Sequence, residues 1–468
     1  MWNFNEFKDN IAVFQENGEG FTYSQLQLAS EELASNIKKR CLVFNLCSNE
    51  IGSLIGYVGF INARIVPFMA EASLDLSFLN SLRVTYKPEY LWCPKNVAHQ
   101  FADCIPVFEA WNYILLQTSV SQPFHIFEDL ALLLTTSGST GSPKLVRQSY
   151  ANLKANTNSI IQYLKIDSRE RAITTLPMSY TYGLSIINTH LFAGASLVIT
   201  NHSLMQREFW QIFKRFEATS FGGVPYTYEM LEKIRFERMD LPSLRTMTQA
   251  GGKLMPELHK KFAKYAIEKK IDFVVMYGQT EATARMSYLP PEKALEKYGS
   301  MGIAIPGGAF SLIDENGSVI IEADVIGELV YRGPNVTLGY AQCGEDLALG
   351  DEWSGILVTG DMAKRDKDGY YYVVGRKKRF LKIYGSRVNL DECEGMLRVS
   401  FPETECACSG IDDAMQVFII DGSIKLEIRK VLAEKTGLNQ MAFHVQVIDR
   451  IPRNDSGKIL YSELPKSY

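Results

Sequence analysis

The chain has 468 residues, more than one compact core of ordinary size holds, and this length predicts two or three domains. Hydrophobic residues make up 46% of the chain and charged residues 22%, so the composition excludes a mainly disordered or fibrous protein. The 49 basic and 53 acidic side chains give a formal net charge of −4, which argues against nucleic acid or an anionic membrane as the main partner.

The sequence predicts neither a membrane span nor a secretory leader. Its most apolar long stretch, residues 51–61, is shorter than the roughly 20 residues of a bilayer-crossing helix, and Asn62 and Arg64 close it. The first residues carry the acidic Glu6 and lack an apolar core. We therefore expect a cytoplasmic protein.

Eight cysteines are scattered along the chain, without a CxxC pair or a His/Cys spacing that would close a zinc site. This scatter predicts reduced, mostly structural thiols. Cys406 and Cys408 flank a single residue and would share one face of a strand, where packing is the expected role.

Apolar β-rich runs alternate with helical patterns, which predicts a layered α/β fold. Ser24 is expected to cap the first helix, with Gln27 three residues on. The apolar positions that would share one face of this helix are Leu26, Ala29, Leu33 and Ile37. The alternation continues with predicted strands at 41–46, 131–136, 196–200 and 273–276 and with predicted helices at 152–164 and 226–236. Each strand ends in a small or polar loop, which is where ligands bind in open α/β sheets.

A domain boundary is predicted where the β-rich run 370–374 passes into the basic stretch 375–379. We expect a large N-terminal domain of residues 1–375 and a small C-terminal α/β domain of residues 376–468. The second part is large enough for a modest core of its own.

A Gly/Ser/Thr-rich loop follows the apolar run that ends at Leu134. Its residues are Thr136, Ser137, Gly138, Ser139, Thr140, Gly141, Ser142, Pro143 and Lys144. Glycines let the backbone approach a ligand, hydroxyl and N–H groups can point at phosphate oxygens, and Lys144 adds a positive charge. A P-loop would place its lysine directly after the last glycine and open a helix. Here Pro143 intervenes and the β-prone Leu145 follows, so we predict that the loop joins two strands; a flexible surface loop is the alternative.

This loop resembles the phosphate loop of the adenylate-forming superfamily, which contains acyl-CoA synthetases, nonribosomal adenylation domains and firefly luciferase. Four further segments resemble motifs of that family in the expected order, and they are residues 277–281 (Tyr-Gly-Gln-Thr-Glu), 360–361, 375–376 and 452–458. Five motifs in one order argue against chance agreement. The resemblance implies a large AMP-binding domain of layered α/β subdomains and a small mobile C-terminal α/β domain.

The resemblance also implies which residues surround the nucleotide. Those placed around ATP or AMP are Thr136, Ser137, Gly138, Ser139, Thr140, Gly141, Lys144, Gly251, Gly252, Met276, Tyr277, Gly278, Asp361 and Arg376. Asp361 would accept hydrogen bonds from the ribose hydroxyls, and Arg376 would donate to ribose or phosphate oxygens. Tyr277 would offer a flat ring for adenine stacking.

Three catalytic residues are implied in the same way, Thr280, Glu281 and Lys458. Thr280 would offer its hydroxyl to the α-phosphate, and Glu281 would hold Mg²⁺ together with Thr136, since this hard cation prefers oxygen ligands. Lys458 would reach from the small domain to the carboxylate and the α-phosphate, where a compact cation stabilises an in-line displacement.

A rotation of the small domain is expected between two reactions, with Lys378 at the hinge. Lys382 and Gly385 would then line the channel of the incoming thiol. The implied cofactors are ATP and Mg²⁺, and the acceptor would be coenzyme A or the phosphopantetheine of a carrier protein.

The segment 177–183 resembles the start of the family's acyl pocket. The residues expected to line that pocket are Tyr180, Thr181, Phe221, Gly222, Val224 and Gln249. Thr181 stands where relatives that adenylate amino acids place an Asp, which pairs with the substrate's ammonium group. Because an unpaired ammonium in a partly buried pocket is costly, the sequence disfavours an α-amino acid.

Three functions stay open from the sequence. The preferred one is an ATP-dependent ligase that activates a small-molecule carboxylic acid as an acyl-AMP, releases pyrophosphate and passes the acyl group to a thiol. The second is a stand-alone amino acid adenylating enzyme that loads an acyl or peptidyl carrier protein. The third is a binding protein that keeps the fold and senses nucleotide without turnover, although all five motifs retain their polar residues.

Overall fold

The computed structural model describes residues 1–2, 4–120, 124–135, 144–384, 386–453 and 459–465. By packing, the chain divides into two compact units. The first unit comprises residues 1–298, 302–309 and 332–357. The second comprises residues 299–301, 310–331 and 358–468.

The described residues form ten α-helices. In chain order they are α1 (Tyr23–Ser35), α2 (Ile51–Asn62), α3 (Leu76–Tyr86), α4 (Tyr150–Leu164), α5 (Thr181–Phe192), α6 (Arg207–Arg215), α7 (Pro225–Lys233), α8 (Pro256–Lys269), α9 (Leu390–Ser400) and α10 (Lys425–Thr436).

The same parts of the chain form 27 strands. The strands up to residue 277 are β1 (Ile11–Phe14), β2 (Gly20–Thr22), β3 (Leu42–Cys47), β4 (Val66–Glu71), β5 (Tyr90–Pro94), β6 (Ile105–Ala110), β7 (Tyr113–Gln117), β8 (Leu130–Thr135), β9 (Leu145–Ser149), β10 (Arg171–Ile173), β11 (Ser196–Val198), β12 (Ser220–Gly223), β13 (Thr246–Gln249) and β14 (Asp272–Tyr277). The later strands are β15 (Ser287–Tyr288), β16 (Ile303–Ala304), β17 (Ala309–Ile313), β18 (Val319–Ile320), β19 (Gly327–Arg332), β20 (Gly339–Ala341), β21 (Ile356–Arg365), β22 (Tyr371–Arg376), β23 (Phe380–Ile383), β24 (Ser386–Asn389), β25 (Cys406–Ile411), β26 (Ala414–Ile419) and β27 (Phe443–Val447).

The first unit contains two large sheets. One has nine strands in the order β16-β15-β14-β13-β12-β10-β11-β1-β2, and its central strands β10 to β14 run parallel. The other has eight strands in the order β20-β9-β8-β4-β3-β5-β7-β6. One large core cluster takes apolar side chains from both sheets and from α1, α2 and α5, so these helices form a buried layer.

Helix α2 is buried along its whole length up to Ile61, which explains its nearly all-apolar sequence. Its glycines allow close packing: a Cβ on Gly59 would lie 2.6 Å from the carbonyl oxygen of Ser30 in α1. Among the described residues, no helix combines the length and the apolar character that crossing a membrane requires.

The N-cap of helix α1 lies two residues earlier than predicted. Thr22, not Ser24, is the N-cap: its Oγ1 accepts from the Gln25 backbone at 3.1 Å, and the Gln25 side chain accepts from the Thr22 backbone at 2.8 Å. Gln25 lies three positions after Thr22, so the sequence contains a complete capping box at these two residues. Ile37 lies after the end of the helix but is buried all the same.

The other predicted elements agree with the structure to within a few residues, and strands lie directly before and after the loop 136–144, as predicted. The strands on either side of the loop, β8 and β9, pair antiparallel, with Thr135 opposite Leu145. All eight cysteines are free, and Cys406 and Cys408 lie together in the core of the second unit, as predicted.

The second unit contains a five-stranded sheet in the order β18-β17-β19-β21-β22, the pair β23–β24 and a three-stranded sheet β25-β26-β27. Helices α9 and α10 pack on the three-stranded sheet around a separate core that includes Leu397, Val417 and Leu432. By packing, the second unit is thus larger than residues 376–468. The boundary at residue 375 and the hinge at Lys378 stay predictions.

Candidate active site

The candidate site of the first unit lies at the carboxyl ends of β12, β13 and β14. These neighbouring parallel strands are in register, with Gly223 opposite Gln249 and Gln249 opposite Val275. The turns that follow them therefore meet at one edge of the sheet. This edge brings together Gly251 and Gly252, which are predicted to lie near the nucleotide, and the motif at 277–281.

Two glycines at this edge are required by close contacts. Gly251 has φ +84°, and a Cβ there would lie 2.7 Å from Oη of Tyr180 and 3.1 Å from Cγ1 of Val224. A Cβ on Gly278 would lie 1.7 Å from the carbonyl oxygen of Ala284. The structure thus places predicted pocket residues Tyr180 and Val224 directly beside Gly251, which is predicted to lie near the nucleotide.

The loop after β14 is held by hydrogen bonds to a distant segment, residues 335–337. The backbone N–H of Thr337 donates to the carbonyl of Glu281 at 3.0 Å, and so does the Thr337 hydroxyl. Thr283 has a left-handed φ of +66°, and its hydroxyl donates to the carbonyl of Asn335 at 2.7 Å. These bonds hold Thr280 and Glu281 in one orientation at the sheet edge.

Tyr340 contacts two predicted site residues that lie far apart in the sequence, Lys144 and Glu281. Its hydroxyl donates to Oε1 of Glu281 at 2.8 Å, and Nζ of Lys144 lies 3.0 Å from the centre of its ring. Strand β20 places Tyr340 here by pairing with β9, where Tyr340 is opposite Val146. The last residue of the phosphate loop and the predicted metal ligand are therefore in contact with one side chain.

Glu281 suits a Mg²⁺ ion that is shared with substrate phosphates. The described residues contain no group of three His, Cys, Asp or Glu side chains that could hold a metal by themselves. Mg²⁺ is commonly bound through one or two carboxylates, with phosphate oxygens and water as its other ligands. The donor set around Glu281 fits that arrangement.

Most of the predicted acyl pocket forms one apolar cluster. Tyr180 packs there with Tyr182, Val224 and Met276. Burial raises the pKa of Tyr180 to about 12, so its phenol is neutral at physiological pH.

Gln249, the last residue of β13, is fully buried at the same edge. Its Nε2 donates to the carbonyls of Ala250 and Gly252, whereas its Oε1 is buried without a partner among the described residues. An unsatisfied buried acceptor at a strand end is a group that a ligand can satisfy.

Two predicted pocket residues, Thr181 and Phe221, make contacts that the sequence did not predict. The hydroxyl of Thr181 donates to the carbonyl of Thr283, so it ties the start of α5 to the loop after Glu281. The ring of Phe221 packs against Phe213 and Phe236. Strand alternation sends neighbouring side chains to opposite faces of the sheet.

Gly222, the next residue in β12, lies on the face expected of a pocket residue. A Cβ on it would lie 2.9 Å from Cδ1 of Ile186 and 3.0 Å from Oη of Tyr182. The pocket therefore lies between α5 and this face of the sheet. Phe221 lines the same cavity as Gly222, while its ring packs against Phe213 and Phe236.

In the second unit, the two residues predicted to bind ribose are neighbours. Asp361 of β21 lies opposite Arg376 of β22, and Nε of Arg376 is 2.8 Å from Oδ1 of Asp361. The Asp361 side chain is 3% exposed and that of Arg376 is 54% exposed, so the pair presents a carboxylate at the base and a guanidinium at the surface.

The basic stretch around the predicted hinge is anchored on both sides. Nζ of Lys377 is 2.7 Å from Oε2 of Glu328 in the five-stranded sheet. Arg379 forms ion pairs with Asp391 and Glu394 of α9, on the side of the C-terminal module. Lys378 is exposed between these anchors.

Several predicted site residues lie outside the described residues. They are Thr136, Ser137, Gly138, Ser139, Thr140, Gly141, Gly385 and Lys458. Lys382 is described and exposed, and its backbone N–H donates to Oδ1 of Asp412 at 2.7 Å. On either side of residues 454–458, Arg453 and Ile459 form an antiparallel bridge.

A family model described as AMP-binding enzyme matches residues 93–341, which is more than half of the chain. The chain belongs to the AMP-binding enzyme family. The family predicted from the five motifs is thereby confirmed.

Curated relatives of this AMP-binding enzyme are named as CoA ligases or CoA synthases. The chain is 30% identical over 355 residues to the peroxisomal OPC-8:0-CoA ligase 1 of Arabidopsis thaliana, a match that covers 72% of this chain and 64% of the relative. It is 29% identical over 355 residues to a feruloyl-CoA synthase of Amycolatopsis sp, covering 73% and 70%. The match thus spans less than two thirds of the Arabidopsis relative's length.

Solved structures share the fold over nearly the whole chain. The O-succinylbenzoate coenzyme A synthetase of Bacillus subtilis in complex with AMP matches with a TM-score of 0.79 at 22% identity, over 98% of this chain and 96% of that one. ATP-bound MatB from Rhodopseudomonas palustris matches with a TM-score of 0.78 at 20% identity, over 98% and 95%. The predicted α/β fold with a smaller C-terminal domain is confirmed.

The sequence reading of this AMP-binding enzyme missed Tyr340. Its role depends on the pairing of β20 with β9, which joins residues nearly 200 positions apart. A tyrosine in the segment 334–340 carries no local signal of that contact. It could have been found only from a prediction of which strands pair.

Proposed function

We propose that this member of the AMP-binding enzyme family uses ATP to activate a carboxylic acid as an acyl-AMP and then transfers the acyl group to the thiol of coenzyme A. The observation that carries the proposal is the contact of Tyr340 with both Lys144 and Glu281. It joins the end of the phosphate loop to the predicted metal ligand at the carboxyl end of β14, beside the Tyr180 pocket.

In the first reaction the substrate carboxylate attacks the α-phosphorus of ATP. The bond between the α-phosphorus and the bridging oxygen breaks, and pyrophosphate leaves with its electron pair. Thr280 would donate to an α-phosphate oxygen, and Lys458 would stabilise the charge on the attacking carboxylate and the α-phosphate. Mg²⁺ bound at Glu281 would supply Lewis-acid stabilisation of the phosphate oxygens.

In the second reaction the thiol sulfur attacks the acyl carbonyl, loses its proton and expels AMP. The proposed hinge at Lys378 is supported by the anchors on each side of it, Lys377 with Glu328 and Arg379 with Glu394. A rotation about one exposed residue would leave both ion pairs intact. Lys382 and Gly385 would then face the thiol channel.

Coenzyme A is the preferred acceptor because the curated relatives named above are a CoA ligase and a CoA synthase. Phosphopantetheine on a carrier protein offers the same thiol and differs in what surrounds it. We keep it as the second acceptor to be tested.

An α-amino acid is disfavoured as the substrate. Thr181 offers no negative charge to an ammonium group, and its hydroxyl is already bonded to the carbonyl of Thr283. The cationic Arg285 also lies next to Met276 in the same region. A buried ammonium without a carboxylate, and close to a guanidinium, would be strongly destabilised.

The decisive experiment is exchange of labelled pyrophosphate into ATP, measured over a panel of mono- and dicarboxylic acids and amino acids. We expect exchange that depends on a non-amino carboxylic acid and on Mg²⁺. Transfer is then measured with coenzyme A and with a phosphopantetheinylated carrier protein as separate acceptors. No exchange with any acid would contradict the proposed activity, and exchange with amino acids alone would favour the carrier-loading alternative.

A further inference from the structure

Arg285 is a buried arginine without an acidic partner among the described residues. Arg285 is only 2% exposed. Its guanidinium contacts the sulfur of Met276, donates to Oγ of Ser185 at 2.9 Å and approaches Oη of Tyr163 at 3.4 Å. It also lies 4.3 Å from the centre of the Tyr182 ring, and its Nε–H is buried with no acceptor.

A buried guanidinium normally has a carboxylate, because arginine stays charged and burying an unpaired charge is costly. Two other arginines of this chain follow that rule. Arg147, which is fully buried, is 2.5 Å from Glu352, and Arg379 is paired with Glu394 at 2.7 Å. The ring of Tyr182 offsets only part of the cost at Arg285, since a cation–π contact is weaker than a buried ion pair.

The free side of Arg285 lines a cavity between α5 and the nine-stranded sheet. Other residues that line it are Gly222, Thr248, Ile186, Thr189 and His190. The cavity has about 30 Å³ of water-accessible space, which is enough for about two water molecules or one carboxylate group.

Phe221 and Gly222, two of the residues expected to line the acyl pocket, also line this cavity. Arg285 contacts Met276 and Tyr182, and both belong to the cluster that contains Tyr180 and Val224. Gly222 and Thr248 each precede the last residue of their strands. An acid whose reacting carboxylate lies near Thr280 would therefore extend its other end toward Arg285.

The titratable groups that face Arg285 leave it without a counter-charge. Glu170 also lines the cavity, but its carboxylate is engaged by Arg245 at 3.3 Å and by the hydroxyl of Thr219. Burial lowers the pKa of His190, so its ring is neutral; its Nδ1 bonds the carbonyl of Ile186 and its Nε2 has no partner. The cavity wall therefore holds the guanidinium of Arg285, a neutral imidazole, hydroxyl groups and one carboxylate, Glu170, which already has partners of its own.

We propose that Arg285 binds a second carboxylate of the substrate, at the end opposite the carboxylate that is activated, and that the enzyme acts on dicarboxylic acids. The proposal rests on the proposed function. The bound carboxylate supplies the counter-charge that the protein lacks, and the guanidinium rejects acids whose far end is cationic.

The first test uses the unmodified enzyme and matched substrate pairs in pyrophosphate exchange. Each pair is a linear or aromatic dicarboxylic acid and its monomethyl ester, which keeps one reacting carboxylate and lacks the second charge. We expect kcat/KM to be about 30- to 1000-fold higher for at least one diacid than for its half-ester, the loss typical of a buried charge left unpaired.

The outcomes separate the two proposals. Exchange in which half-esters or simple monocarboxylic acids match or exceed every diacid overturns the role of Arg285 and leaves the ligase activity standing. No exchange with any acid overturns the ligase activity, and the diacid proposal with it.

The second test replaces Arg285 by Leu and by Lys. Arg285→Leu is expected to lose the diacid preference, mainly through KM, while the half-ester is used as well as or better than before. Arg285→Lys should retain part of the preference, because it keeps the charge but not the planar fork of donors. Arg169→Leu, which removes an exposed charge of the same unit, is the matched control and should keep the preference.

A merely structural role for Arg285 would give a different pattern. Replacing an unpaired buried charge by an apolar side chain should leave the melting temperature of the free enzyme unchanged or higher. A lower melting temperature, with equal loss of activity for diacid and half-ester, would overturn the proposal.

Discussion

The hydroxyl of Tyr340 donates a 2.8 Å hydrogen bond to Oε1 of Glu281, while the ring of the same tyrosine lies 3.0 Å from Nζ of Lys144. One side chain thus orients the predicted metal ligand and holds the lysine that ends the phosphate loop. We infer that Tyr340 positions both groups for ATP.

Tyr340→Phe removes the hydrogen bond to Glu281 and keeps the ring under Lys144. Because a hydrogen bond to a charged group contributes about 1.5–3 kcal/mol, we expect pyrophosphate exchange to fall about 10- to 100-fold. The concentration of Mg²⁺ needed for half-maximal exchange should also rise.

The matched control for this variant is Tyr298→Phe. The ring of Tyr298 lies 4.1 Å from Nζ of Lys260 on the surface, so this change also removes a hydroxyl and keeps a cation–π contact. Exchange rates and Mg²⁺ dependence should stay at wild-type values. Equal rates for the two variants would refute a positioning role for Tyr340.

Gly278→Ala should destabilise the loop that carries Thr280 and Glu281. The new Cβ would lie 1.7 Å from the carbonyl oxygen of Ala284, so the backbone must shift. We expect a loss of about 2 kcal/mol or more in the free energy of unfolding and a large loss of exchange activity. Denaturant unfolding and pyrophosphate exchange measure these effects.

A second glycine gives the opposite expectation. Gly395 lies within α9, and a Cβ there would meet no atom within 4 Å. Gly395→Ala should therefore raise stability by up to about 1 kcal/mol and leave adenylation unchanged. A loss of stability in this variant would contradict the open space at that position.

Asp361→Asn keeps the size of a nearly buried side chain and removes the charge that pairs with Arg376. If the Asp361 carboxylate accepts from the ribose hydroxyls, the KM for ATP should rise about 10- to 100-fold, with a smaller effect on the KM for the acid. Steady-state kinetics with each substrate varied in turn measure the difference.

Asp324→Asn is the control for this change. Asp324 lies 3.6 Å from Lys364 in an exposed ion pair of the same unit. Its variant should have a wild-type KM for ATP, because exposed pairs contribute little. A rise in the KM for the acid rather than for ATP in Asp361→Asn would argue against the ribose role.

Lys458→Ala should separate the two half-reactions. Loss of a cation that stabilises the displacement is expected to slow acyl-AMP formation about 100- to 1000-fold, while thioester formation from supplied acyl-AMP stays nearly intact. Lys382→Ala should show the reverse pattern. Equal losses in both half-reactions for both variants would contradict the alternation of the C-terminal domain.

His259 predicts a specific dependence of stability on pH. Burial lowers its pKa to about 4 from an unfolded value near 6.5, so the unfolded chain binds the proton more readily. Its contribution, about 3 kcal/mol, is present above pH 6.5 and is lost as the pH falls through 4. Comparing denaturant unfolding of wild type and His259→Gln between pH 7 and 4 should show a flatter slope in the variant.

The exposed His99 provides the control, since His99→Gln should leave the slope unchanged. Carboxylates that also titrate in this range cancel in the comparison. An unchanged slope in His259→Gln would contradict the predicted contribution of this histidine.

Much of the fold followed from local pattern. Apolar runs of the right length located strands such as β8 and β14, and the proline after the glycines of the phosphate loop correctly placed that loop between two strands. The motif at 277–281 and the pair Gly251 and Gly252 were both predicted to lie near the nucleotide, and they share one edge of the sheet because β13 and β14 are parallel neighbours.

The N-cap of α1 was predicted wrongly because two neighbouring residues could both cap the helix. Both Thr22 and Ser24 could cap α1, and only the reciprocal bonds with Gln25 decide for Thr22. Phe221 and Gly222 both line the cavity beside α5, but the sequence could not say where the Phe221 ring packs. The aromatic neighbours of Phe221 settle that question.

The sequence by itself determined the family, the order of its motifs and the α/β character of the chain, because these depend on short segments whose residue types are tied to backbone shape or to phosphate chemistry. The tertiary structure alone decided that Tyr340 reaches Glu281 and that Arg285 is buried without an acid. Both facts depend on strands and helices far apart in the chain packing together, and no short segment of the sequence encodes such a contact.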